Sequence, residues 1–190
     1  NARLMDFRVN QDHGLHFIYL LPLDNNHLLV ESTVFSKFIL EPSWYESQIS
    51  AYINTNLGIE KYEIIDIEKG VLPMFEVYSQ NKDNYIHIGA KGGATKISSG
   101  YAFSFFIKQL MTKDKVYHSH WDKLMDKIFV KYLEDNHKSD EIFMKMAEIL
   151  NGEEFGSFMM GNAKLSTKFK TIFAMPKIGF IKSYLKTVLN

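Results

Sequence analysis

Two apolar runs, His16-Phe17-Ile18-Tyr19-Leu20-Leu21 and Leu28-Leu29-Val30-Glu31-Ser32-Thr33-Val34-Phe35, flank the polar stretch Asp24-Asn25-Asn26-His27. Both are rich in β-branched and aromatic residues, and Asn25-Asn26 can take the positive φ angles of a two-residue turn. The segment therefore reads as an antiparallel hairpin. In that register Leu20 lies opposite Glu31.

Further along, Pro42-Ser43-Trp44-Tyr45-Glu46 opens a helix with Ser43 as N-cap, and Gly58 ends it. Residues 62–68 alternate as a strand does, and residues 85–88 form another that runs into a glycine-rich turn. Residues 101–111 are apolar nearly all round, which predicts a buried helix. Helices follow over 120–135 and 139–150, then shorter ones that Pro176 interrupts. The fold class is mixed α+β. Residues 1–103 carry the sheet and a strand–turn–helix unit; residues 104–190 form a helical region with a basic amphipathic tail.

The chain has no cysteine, which excludes disulfides, thiolate nucleophiles and cysteine-bound metals. Its 22 basic and 22 acidic side chains cancel, so the whole is not built to hold nucleic acid. The charge is uneven, however. Six lysines (164, 168, 170, 177, 182 and 186) and no acid fall within 161–190, leaving 16 basic against 22 acidic residues before them. No apolar run reaches the roughly 18 residues of a membrane span, and residues 1–6 have no apolar segment of the kind a signal peptide carries. The first residue is Asn, which sets the expectation of further sequence upstream.

Three features can carry chemistry. Glu31 sits among Leu29, Val30, Val34 and Phe35, beside a strand apolar on both faces. Covered on both sides, such a carboxyl would favour its neutral form and act as a general acid. The same position also suits an edge glutamate facing water, or one paired with Arg8. The turn Ile88-Gly89-Ala90-Lys91-Gly92-Gly93-Ala94-Thr95, with Ser98-Ser99-Gly100, would let a ligand approach the backbone and a helix N-terminus. Such a site suits a phosphate or the electron-rich edge of a reduced flavin; an ordinary tight turn is the plainer reading. The tail alternates its lysines with Leu165, Phe169, Phe173, Ile178, Ile181 and Leu185. That pattern suits a helix lying on an anionic membrane, or one docked on the core with a solvated lysine face.

Four segments, in this order, resemble the lycopene cyclase family. They are Leu4-Met5-Asp6-Phe7-Arg8; Phe17-Ile18-Tyr19-Leu20-Leu21-Pro22-Leu23 followed by Leu29-Val30-Glu31-Ser32-Thr33; Glu68-Lys69-Gly70-Val71-Leu72-Pro73-Met74; and Ile88 to Lys96 with Ser99-Gly100-Tyr101-Ala102-Phe103. The resemblance implies the second half of a two-part FAD-binding flavoprotein, its N-terminal Rossmann motif absent here. It implies a lycopene β-cyclase, inactive as this isolated piece. Reduced FAD would be its cofactor, NADPH or NADH its reductant, and lycopene or another linear carotenoid its substrate. The location implied is cytoplasmic, peripheral on the inner membrane through the basic tail. The family's catalytic acid falls on Glu31, while its second acid is Ser32 here. Its flavin-proximal segment falls on Gly89, Gly92, Gly93, Ala94, Thr95, Ser99 and Gly100. A related flavin oxidoreductase, or a non-catalytic lipid-binding module, would be the alternative.

Overall fold

The computed structural model describes residues 1–77, 87–112, 118–136 and 139–189. It contains two compact units. The first comprises Asn1–Gly70 with Asn136–Asp140; the second comprises Val71–Asp135 with Glu141–Asn190.

In the first unit, β1 (Arg3–Asp6), β2 (Leu15–Pro22) and β3 (Leu28–Phe35) form an antiparallel sheet in that order. The hairpin is confirmed, but its register is not the expected one. Tyr19, not Leu20, lies opposite Glu31, and Leu20 pairs with Val30. The cause is the connection. The Asp24 carboxylate accepts from the Asn26 and His27 backbone N–H groups, both at 2.8 Å. Leu23 N–H closes on His27 O at 2.9 Å. This aspartate-centred turn is longer than a two-residue loop, so every partner moves by one and the side chains of β3 exchange neighbours.

Helix α1 (Pro42–Leu57) starts with Pro42 in its first turn after Glu41, rather than capped by Ser43. Proline's fixed φ suits that position and its missing N–H costs nothing there. Gly58, at φ 68°, ends the helix as expected. Ile18 and Leu20 pack with Tyr52 of α1 in the unit's core. The Tyr52 hydroxyl donates to Asp6 at 2.7 Å, and Arg8 donates to the same carboxylate at 2.6 and 2.9 Å. Arg8 thus serves Asp6, not Glu31. Its hydrogen bonds, helped by Tyr52, hold the Asp6 carboxyl well below the usual carboxylate range despite burial.

Residues 62–68 form no strand. Ile64, Ile65 and Ile67 are exposed, and the stretch has no ladder partner among the described residues. Alternation alone does not make a strand without a neighbour to bond to. Of the predicted strand at 85–88, residues 85 and 86 lie outside the described residues, and His87 and Ile88 are not in a strand.

Among the described residues of the second unit, the regular elements are a 3₁₀ turn at Gly89–Gly92 and helices. Its helices are α2 (Phe103–Thr112), α3 (His120–Asp135), α4 (Asp140–Ile149, whose first residue belongs to the first unit), α5 (Gly152–Met159), α6 (Leu165–Ala174) and α7 (Lys177–Leu189). Residues 71–103, grouped with the strand-rich part in the sequence, fall within this unit. Helix α2 is not buried all round: only Phe105 and Gln109 are buried, and Phe103 and Met111 are exposed. Asn151 and Glu154 form a reciprocal capping box on α5. Pro176 separates α6 from α7, as predicted. The core joins Tyr132, Ile142, Met146, Leu150 and Met175.

Candidate functional site

The observed register decides what surrounds Glu31. Residues opposite one another share a sheet face, so Glu31 and Thr33 lie with Tyr19 and Phe17, and Phe35 with Leu15. Aromatic rings dominate this face. Phe17, 1% exposed, packs edge-on against Phe7, Tyr19 and Phe35 at centroid distances of 5.7, 5.2 and 5.6 Å. Glu31 itself is exposed and accepts a hydrogen bond from the Thr33 hydroxyl at 2.7 Å. The expectation of a carboxyl covered on both sides is therefore corrected. Helix α1 packs on the Ile18 and Leu20 face, opposite to that of Glu31, and β3 lies at the edge of the sheet among the described residues.

Ser32 points to the opposite face. Its hydroxyl meets Nε2 of His16 at 2.9 Å, and Nδ1 of His16 lies 2.8 Å from the Asn10 carbonyl. That carbonyl can only accept, so Nδ1 carries the proton and Nε2 accepts from Ser32. Burial pushes the His16 imidazole below its ordinary pKa, against the backbone contact. The folded state then prefers neutral His16, whereas the unfolded chain protonates it near pH 6.5. Stability is full above that pH and falls as pH drops through it, by at most about 1.4 kcal/mol per pH unit. With Trp121→Phe leaving Trp44 as the only tryptophan, the urea midpoint of the first unit should be lower at pH 5.5 than at pH 7.5. His16→Gln should flatten that difference; an unchanged difference would assign it to other groups.

The glycine-rich turn is built by its own hydrogen bonds. The N–H groups of Gly92, Gly93 and Ala94 donate to Ile88, Ala90 and Gly89 carbonyls at 3.3, 3.1 and 3.0 Å. Gly89 N–H donates to the Gln109 side chain at 2.9 Å. These donors do not form the phosphate cradle that the spacing suggested. A Cβ on Gly92 would lie 2.4 Å from the His87 carbonyl oxygen, so this glycine is required by the protein's own packing. Gly92→Val should destabilise the second unit by about 1–3 kcal/mol, read by urea unfolding through Trp121 in a Trp44→Phe background. An unchanged midpoint would show that the turn yields.

Beyond the turn, Ala94 and Thr95 are buried, and the N–H groups of Ser99 and Gly100 donate to the Lys96 carbonyl at 3.2 and 2.8 Å. The buried Thr95 hydroxyl has no hydrogen-bond partner among the described residues. A buried hydroxyl without a partner is costly, and a polar ligand edge such as that of a flavin ring would satisfy it. Next to it lies an ion pair that no motif indicated. Lys96 bonds the Asp126 carboxylate of α3, and the Ser98 hydroxyl donates to the same oxygen at 2.7 Å. Both charged side chains are 8% exposed. His118 stacks on Phe105 at 4.2 Å, and burial lowers its pKa. Ser119 caps α3, accepting from Asp122 N–H at 3.1 Å. Among the described residues no group of three or more His, Asp or Glu side chains could hold a metal.

The tail lysines are divided. Lys168 pairs with Asp122 at 2.6 Å, Lys170 with Glu154 at 2.7 Å and Lys186 with Asp135 at 2.6 Å. Among the described residues no helix is long and apolar enough to cross a membrane.

A family model described as "Lycopene cyclase protein" matches residues 1–117, a span that holds Glu31 and the whole glycine-rich turn. No curated protein and no solved structure matches the chain. The chain belongs to the lycopene cyclase family, whose chemistry is carotenoid cyclisation.

Proposed function

We propose that the chain serves a lycopene β-cyclase, with Glu31 as the acid that starts ring closure. The observation that carries this reading is the sheet face on which Glu31 lies with Tyr19, Phe17 and Phe35. A carotenoid end offers no polar handle, only carbon–carbon double bonds. The Glu31 carboxyl donates its proton to the terminal double bond, and a carbocation results. The π electrons of a nearby double bond attack it, forming the ring carbon–carbon bond. Loss of a proton from an adjacent carbon restores a double bond and completes an isomerisation with no net redox change.

Each step suits this surface. An apolar polyene lying on the aromatic face would exclude water from the carboxyl, favouring the protonated form that the reaction needs. The ring of Tyr19, half-buried and directly opposite Glu31, offers π density to a cation, worth about 0.5–2 kcal/mol. FAD belongs to the proposal as the cofactor, kept reduced by NADPH or NADH. Thr95 and Ser99 would hold it, with Gly89, Gly92, Gly93, Ala94 and Gly100 shaping the turn; the unpartnered Thr95 hydroxyl supports this. When bound, reduced flavin supplies delocalised negative charge that stabilises a cation electrostatically. The chain would form the second half of a two-part flavoprotein, peripheral on the cytoplasmic side of the inner membrane and inactive by itself.

The test is expression, joined to its dinucleotide-binding half, in cells that accumulate lycopene, with the pigments separated by chromatography. Conversion to γ- or β-carotene is expected. Unchanged lycopene alongside folded, flavin-loaded protein would overturn the cyclase reading.

A further inference from the structure

Helices α6 and α7 are packed with the side that sequence patterning would assign to solvent. On α7 the inward residues other than Phe180 are small or hydroxyl-bearing. Ser183 is buried, Thr187 is half-buried, and a Cβ on Gly179 would come within 2.5 Å of the Tyr132 ring of α3. Phe180 stacks on the same ring at 4.3 Å and an interplanar angle of 10°, fixing the orientation. At about 100° per residue, the opposite side carries Ile178, Ile181, Leu185 and Val188. They are 74, 57, 47 and 52% exposed.

The same inversion occurs on α6. Its buried residues are Thr167 and Thr171, and its outward residues are Leu165, Phe169 and Phe173. The hydroxyls tolerate burial because they bond within the helix. Thr171 donates to the Thr167 carbonyl at 2.9 Å, and Thr187 to the Ser183 carbonyl at 2.8 Å.

Charge narrows what covers these faces. Lys164, Lys177 and Lys182 are exposed beside the apolar residues, and no acid occurs within 161–190. A second copy of the same face would set lysine against lysine with no carboxylate to intervene. An anionic bilayer surface meets both halves of the pattern: its acyl boundary accepts the isoleucine, leucine and phenylalanine side chains, and its phosphates accept the lysines.

We propose that α6 and α7 form a membrane-docking device that lies on an anionic bilayer by these outward apolar faces. It deepens the cyclase reading, since it would keep the enzyme at the phase that dissolves its substrate, but it is measured without any turnover.

The test is flotation of the full chain with vesicles of phosphatidylcholine alone, or with about a third phosphatidylglycerol, at about 0.1 M salt. Binding is expected only to the anionic vesicles. Ile181→Asp with Leu185→Asp should lower the partition at least tenfold, with the helical circular dichroism unchanged because both sites are exposed. Lys177→Gln and Lys182→Gln should each lower it about fivefold. Unaltered binding by the aspartate variant, equal binding to both vesicles, or none to either would overturn the proposal. A dimer seen by ultracentrifugation and abolished by the same substitutions would also overturn it, assigning the face to a second copy. Ring closure on detergent-dispersed lycopene by the aspartate variant joined to the dinucleotide-binding half should stay at the unsubstituted level, so failed docking and failed catalysis are read separately.

Discussion

Glu31→Gln is expected to abolish ring closure while leaving the first unit as stable as before. Glutamine cannot give up a proton, and removing a general acid lowers a rate by about a hundred- to ten-thousandfold. The stability half of the result follows from the structure. Glu31 is exposed, and among the described residues its side chain accepts a hydrogen bond from the Thr33 hydroxyl. An amide oxygen accepts that bond equally well, so the urea midpoint should stay within about 0.5 kcal/mol of the original. Pigment chromatography supplies the first measurement, and Trp44 fluorescence in a Trp121→Phe background the second. Retained conversion would remove Glu31 from the mechanism. Lost conversion together with a lowered midpoint would assign the defect to folding instead.

Lys96→Met should produce the largest loss of stability of any single change in the second unit. It leaves the Asp126 carboxylate buried with only the Ser98 hydroxyl as a named donor. Removing one partner of a buried pair costs about 3–5 kcal/mol, because the remaining charge has lost its water and gained nothing. The pair also joins the chain just beyond the glycine-rich turn to α3, so the loosening should spread to residues 96–101. Removing both charges tests the cause: Lys96→Met with Asp126→Leu should recover most of the loss, since the pair and an apolar replacement of similar size differ little. Urea unfolding followed through Trp121 in a Trp44→Phe background measures both variants. A small effect in the single variant would show that solvent reaches Asp126. Equal loss in both would show that packing, not charge, is responsible.

The hairpin, the helix ended by Gly58, the helix at 120–135 and the break at Pro176 were all legible in the residues, because each rests on local chemistry. β-branched runs, a positive-φ glycine and a proline act within a few residues of themselves. The strand expected over 62–68 was not realised, since alternation describes a surface and a ladder requires a neighbour. Of the readings left open for Glu31, the edge glutamate facing water is the one observed, because an apolar adjoining strand says nothing about what covers a face. The Asp24 turn was the one readable sign of the true register, because an aspartate followed two residues on by Asn26 bonds back to the backbone and lengthens the loop.

Family membership and the candidate residues themselves were set by sequence alone, since they depend on the order of side-chain types along the chain. Tertiary structure alone decided that Glu31 shares its face with Tyr19 and Phe17, and that Ser32 turns away to His16. It alone brought Lys96 to Asp126, thirty residues away, and turned the apolar sides of α6 and α7 outward. The physical reason is common to all of these. Register, burial and ion pairing are properties of two segments at once, and neither segment encodes the position of the other in its own pattern.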